Sequence, residues 1–271
     1  MKKKYIIITI SIAVLCSGAM ALYYGLSYYT PSKEIPPRQI QQYNNDTIKI
    51  AFIGDSWAFF HKAHYCKLPS IISHNIKKTV VIMSDGGCGA TSKFVYSRLN
   101  ADGPIQHIID KHPNYCIISA GINDSHIKLG AFNYTENMKH IINFLLYNEI
   151  TPIIIEIPNY DINKIYNDLN TRKKLIRKIS MLITNSKIDS RDDYRQALLM
   201  MIERTYKPNQ ILLLRHDQWK SDANNDIDSL YRDDKIHLNS KGYHVLDSIL
   251  SEIIISDYIS KNEVDICTLQ K

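Results

Sequence analysis

The sequence predicts an α/β fold, a three-layer α/β/α sandwich around a central, mostly parallel sheet of five strands. Three observations predict it. Short apolar runs alternate along the chain with longer helical stretches. The runs are apolar throughout, as strands buried on both faces of a parallel sheet are. And 271 residues, 45% hydrophobic and 22% charged, suffice for one sizeable globular domain.

The elements follow in order. "IKIAFIG" is the first strand, with Ile48, Ile50, Phe52 and Ile53 supplying apolar bulk before Gly54 breaks the run. A helical stretch covers roughly 57–76. "TVVIM" (79–83) is the second strand and runs into a Gly-rich turn, "SDGGCGATS". "PNYCIISAG" is the third strand. "NYTENMKHIINFLLYNE" is an amphipathic helix with Met138, Ile141, Ile142, Leu145 and Leu146 on one side. "TPIIIEIP" and "QILLLRH" are the fourth and fifth strands, separated by helical segments over roughly 163–206. A long polar loop then leads to "DDKIHLNSKGY" and a closing helix.

The boundaries divide the chain into residues 1–27, a signal peptide or membrane anchor; 28–46, a linker; 47–260, the globular domain; and 261–271, a tail. "MKKK" is a positive n-region, "YIIITISIAVLC" an apolar h-region and "AMA" a small-x-small cleavage site. The uncharged stretch from Tyr5 to Leu26 is also long enough to span a bilayer. Both readings put the domain outside the cytoplasmic membrane, because the positive-inside rule keeps Lys2 to Lys4 in the cytoplasm. The linker reading rests on the polar, three-proline stretch after Tyr28.

The net charge is +6, half of it from those three lysines, which is too mild to argue for nucleic acid. Of the five cysteines, Cys116 lies in a buried strand. Cys66 and Cys88 flank candidate site loops, where an oxidising compartment would permit a disulfide and two unrelated thiols are the alternative. No CxxC or HExxH points to zinc, and His61 with His64, one helical turn apart, lacks a third ligand.

Ligands bind beyond the carboxyl ends of strands in such folds. Ser56 follows the first strand, the Gly turn the second, and "AGIND" the third, so all three share one sheet edge. A serine hydroxyl needs a base to become a nucleophile, the base needs an orienting carboxylate, and the oxyanion needs donors. Asp234 and His237 stand at D-x-x-H spacing, which lets the carboxylate reach Nδ1 and leaves Nε2 for Ser56; Asp233 competes as the orienter and spacing favours Asp234. Candidate donors are the Ser56 N–H, the Gly89 N–H and the Asn123 amide, with Gly86 and Gly87 serving the turn. The competing readings are a helix cap for Ser56, a surface loop histidine for His237, and an Asx turn for Asn123 or Asp124. The other nine histidines read mostly as surface residues, and Trp57 as core.

Four blocks in this order, "GDS", "GGCGATS", "GIND" and "DKIH", resemble the SGNH hydrolases, also called GDSL esterases/lipases, over about 47–259. Two departures stand out: Trp57 where Leu is common, and Lys235 where Gly is frequent. The resemblance implies Ser56 as nucleophile, His237 as base, Asp234 as orienter, and Ser56, Gly89 and Asn123 as oxyanion-hole donors. It also implies that no metal or organic cofactor is needed. The expectation is an extracytoplasmic serine esterase removing O-acetyl groups from a carbohydrate. Alternatives are an O-acyltransferase with the same triad, a lysophospholipase or thioesterase, and, in another class, a silent glycan-binding module. The partner expected is an ester substrate, with a membrane contact through the N-terminal segment only.

Overall fold

In a computed structural model of the chain, the described residues are 2–41, 46–64, 67–218 and 227–269. Five strands form the sheet: β1 (Ile48–Gly54), β2 (Val80–Gly86), β3 (Tyr115–Ser119), β4 (Thr151–Ile155) and β5 (Leu212–Leu214). Their order is β2-β1-β3-β4-β5 and every pair is parallel. The predicted sheet is therefore borne out, and it is wholly parallel. β3 is buried along its whole length and β1 everywhere but Lys49. That is the expected state of apolar runs covered on both faces.

Among the described residues the helices are α1 (Lys2–Tyr28), α2 (Ser56–His64), α3 (Leu68–Ile76), α4 (Ser92–Leu99), α5 (Pro104–Ile109), α6 (Ile122–Ile127), α7 (Ala131–Tyr147), α8 (Ile162–Asn167), α9 (Thr171–Thr184), α10 (Arg191–Thr205), α11 (Ile227–Leu230) and α12 (Ser240–Leu269). α7 packs on α4 and α10, and α12 on α3 and β5. Three differences from the sequence reading have local causes. The single helix expected over 57–76 is two, and Pro69 stands in the first turn of the second. β2 extends to Gly86, where a Cβ would come within 2.4 Å of the Asp55 carbonyl, so only glycine lets the strand run that far beside β1. α12 continues past residue 260 to Leu269.

The stretch read as a linker lies along the domain up to residue 41. Lys93 Nζ donates to the Ser27 and Thr30 carbonyls, each at 2.9 Å. Ser32 N donates to Asn137, Ile35 N to the Tyr96 hydroxyl and Ile40 N to Asn148, and Arg38 pairs with Asp110. Polar composition permitted a linker; backbone N–H groups that find side-chain acceptors across the domain make a strap of it. Residues 42–45 lie outside the described residues. Among the described residues no helix is long and apolar enough to cross a membrane.

The register positions the site. Gly54 pairs with Gly86 on one side and Ser119 on the other, Ser119 with Ile155, and Ile155 with Leu214. All five strands thus end at one level, and the loops that follow them share one edge.

Candidate active site

Gly54 ends β1 at φ +149°, and a Cβ there would lie 2.0 Å from the Ser119 carbonyl oxygen. Only glycine allows β1 and β3 to close so tightly just before the serine. Asp55 turns the chain. Its Oδ1 accepts from Trp57 N at 2.9 Å and from the Ser119 hydroxyl at 2.6 Å. Ser56 then opens α2. Its N–H is among the first of the helix, which have no carbonyl within the helix to meet.

The second and third blocks are stitched to the first. Gly87 N donates to the Gly54 carbonyl at 3.0 Å, holding the Gly turn beside the serine. Gly89 sits at φ +77° with open space where a Cβ would be. Asn123 Nδ2 donates to the Ala90 carbonyl at 2.8 Å, which keeps its amide next to Gly89. Asp124 makes no Asx turn. It is fully buried and receives Ser92 N at 2.9 Å and the Ser92 hydroxyl at 2.6 Å, anchoring the start of α4.

The last block completes the arrangement. Asp234 Oδ2 lies 2.7 Å from His237 Nδ1, and Oδ1 accepts from the backbone N–H of Ile236 and His237. Burial works against the Asp234 anion, but the His237 and Ile236 donors outweigh it and hold the carboxyl below its ordinary range. Asp234 is therefore the carboxylate that holds His237 Nδ1. Asp233 instead offers its carbonyl to Lys164. Lys235 occupies the left-handed region at φ +59°, which explains why glycine suits that position of the family pattern.

The His237 ring stands edge-to-face on Phe60, with centroids 5.5 Å apart. Phe60 is four residues beyond Ser56 on α2, on the same helix face. The loop is fixed there by Trp57, whose indole N–H donates to the Ile236 carbonyl at 3.0 Å, and by Tyr243, whose hydroxyl donates to the Trp57 carbonyl. Trp57 is core, as expected, and also ties the Ser56 block to the His237 block. With Nδ1 engaged by Asp234, Nε2 is the ring nitrogen turned away from that carboxylate. Among the described residues Ser56 and His237 make no direct hydrogen bond; such contacts often tighten only around substrate.

Sequence reasoning missed a second acid–histidine pair on this edge. Glu156 follows β4, is fully buried, and accepts from His216 N at 2.8 Å and from its ring Nδ1. His216 follows β5, three strand spacings of about 4.8 Å from β1, so it does not compete with His237 for Ser56. His61 is also misread as a surface residue. It is buried, between Asp247 at 2.7 Å and Ser84 at 3.1 Å, because a polar ring can be enclosed only with partners on both nitrogens. Its nitrogens are thereby committed, and among the described residues no cluster of three His, Cys, Asp or Glu is placed to hold a metal ion. The side chain of His64 and the whole of Cys66 lie outside the described residues, so the disulfide reading does too; Cys88 carries a free, exposed thiol.

The model for the GDSL-like lipase/acylhydrolase family matches residues 52–245. The chain belongs to this family. As a family member it is a serine ester hydrolase. The solved structures it resembles share its fold at low identity. A G-D-S-L family protein from Desulfitobacterium hafniense is 18% identical, with a TM-score of 0.51, over 76% of this chain and 98% of that one. The esterase EstA from Pseudoalteromonas is 14% identical, with a TM-score of 0.53, over 80% and 100%. The acetyl xylan esterase AlAXEase is 18% identical, with a TM-score of 0.51, over 74% and 96%. No curated protein matches the chain.

The buried carboxylates give this acylhydrolase a pH signature. Burial pushes Asp55 up to about 7, against the Ser119 and Trp57 hydrogen bonds, and Asp124 up to about 6. An unfolded Asp titrates near 3.9, so the folded state holds these protons more tightly. The stability they contribute is full below about pH 4 and is lost as pH rises through about 6 and 7. Asp55→Asn removes the upper step. Urea unfolding between about pH 4.5 and 8 is expected to move in the variant's favour, relative to wild type, by on the order of 3 kcal/mol.

Proposed function

We propose that Ser56, His237 and Asp234 are the catalytic triad, with the Ser56 and Gly89 N–H groups and the Asn123 amide as the oxyanion hole. One observation carries this reading: the Asp234–His237 pair is seated on Phe60, one turn along α2 from Ser56. Ser56 Oγ attacks the ester carbonyl while His237 Nε2 takes its proton. The tetrahedral oxyanion meets the three donors. The C–O bond to the alcohol breaks and His237 returns the proton to the leaving oxygen. Water, deprotonated by His237, then releases the acid from Ser56.

The substrate we propose is an O-acetylated carbohydrate outside the cytoplasmic membrane. The signal-like N-terminus supports the location. The fold shared with an acetyl xylan esterase supports the substrate class. Hydrolysis of p-nitrophenyl acetate, butyrate and octanoate, with acetate release from acetylated xylan, tests it. Preference for acetate and release from the polymer are expected. Preference for octanoate would replace the carbohydrate with a lipid, and acetate transfer to an added sugar in place of hydrolysis would make the enzyme an acyltransferase.

Asn123→Ala probes the oxyanion hole. Loss of one donor is expected to lower kcat by about 10²–10³ with KM little changed. Steady-state kinetics beside a thermal melt separates that loss from the structural bond to Ala90.

A further inference from the structure

α9 is amphipathic the wrong way round for a core helix. Its sequence is TRKKLIRKISMLIT, capped at the start by Asn170. The face toward the domain carries Ser180, buried, with Lys174, Arg177 and Thr184 half-buried. Ser180 meets the Tyr29 hydroxyl at 2.6 Å. The opposite face carries Leu175, Ile176, Ile179, Leu182 and Ile183, all exposed, Leu182 to 83% and Leu175 to 59%. Five aliphatic side chains at helical spacing in water are unfavourable unless something covers them.

Three features identify the cover. Arg172 and Lys178 are exposed on the same helix, so the apolar stripe is bordered by cations without an acidic residue on α9. That is the composition of a helix lying at the boundary of an anionic bilayer, aliphatic side chains among acyl chains and cations at the headgroups. The second feature is placement. α1 ends where α9 sits: Asn133 donates to the Tyr28 carbonyl, and Tyr29 bonds Ser180. Leu22 and Leu26 of α1 are exposed as well, so two apolar helices leave one corner of the domain. The third is the anchoring of that corner by the strap that follows α1, which fixes α1's exit relative to α9.

We propose that α9 docks the domain on an anionic glycerophospholipid bilayer, with Leu175, Ile179 and Leu182 in the acyl boundary and Arg172 and Lys178 at the phosphates. This surface is independent of the hydrolase reading and stands whatever ester Ser56 cleaves.

The test uses the full chain with a reporter on each of two faces. Leu182→Trp places an indole on the α9 stripe. Tyr147→Trp places one at the exposed end of α7. Each is mixed with vesicles of phosphatidylcholine and phosphatidylglycerol carrying brominated acyl chains, with the parent chain as the background for its own tryptophans. Quenching of Leu182→Trp and not of Tyr147→Trp is the expected result. Adding Arg172→Glu and Lys178→Glu is expected to weaken vesicle binding of that reporter face by about tenfold or more. Equal quenching at both positions, absence of vesicle binding, or indifference to phosphatidylglycerol would overturn the proposal. So would a blue-shifted Leu182→Trp spectrum that depends on protein concentration without vesicles, which would make a second copy of the chain the cover.

Discussion

Ser56→Ala is expected to abolish ester hydrolysis, lowering kcat/KM on p-nitrophenyl acetate by about 10⁴ or more while leaving the fold intact. Ser56 is the only hydroxyl that the end of β1 and the start of α2 deliver to the face on which His237 is seated. The substitution removes one oxygen from a buried position, and the neighbouring contacts that hold the turn belong to Asp55, Trp57 and Ser119. A thermal melt should therefore change little. A variant that keeps activity would return Ser56 to the role of a helix start.

Asp234→Ala is the second large effect. The carboxylate holds His237 Nδ1 and also caps the turn through the N–H groups of Ile236 and His237. Without it the imidazole loses both its orientation and the charge that stabilises the imidazolium formed during attack. A loss of about 10²–10⁴ in kcat is expected, with KM less affected. Asp234→Asn is the informative partner, since it keeps the turn's acceptor while presenting an amide to Nδ1. A pure turn defect would be rescued by Asn; a defect in the base would not. Asp233→Ala should leave kcat near wild type, because among the described residues the Asp233 carbonyl, and not its carboxylate, is engaged, by Lys164.

The parts of this site that the sequence disclosed are those carried by short spacings. Gly54 to Ser56, Gly121 to Asp124 and Asp234 to His237 are each three or four residues long, and each lands where its spacing implied. The strands were legible because β1, β3 and β4 are apolar nearly throughout. What stayed hidden is pairing over distance. Asp124 reaches Ser92 across 32 positions, Glu156 reaches His216 across 60, and His61 reaches Asp247 across 186. A polar residue destined for burial looks the same in sequence as one destined for water until its partner is placed. The outward apolar face of α9 was hidden for a related reason: periodicity shows that a helix has an apolar face, and only the fold shows which way that face turns.

A covalent trap reads directly whether Ser56 forms the acyl-enzyme. The full chain is treated with an organophosphate ester such as paraoxon, and the adduct is located by peptide mass spectrometry. One phosphoryl group is expected on the peptide running from Ile50 to Lys62, at Ser56, absent from Ser56→Ala and slow to form in Asp234→Ala. A stoichiometric adduct on another residue, or none from a folded chain that still hydrolyses esters, would contradict a Ser56 acyl-enzyme.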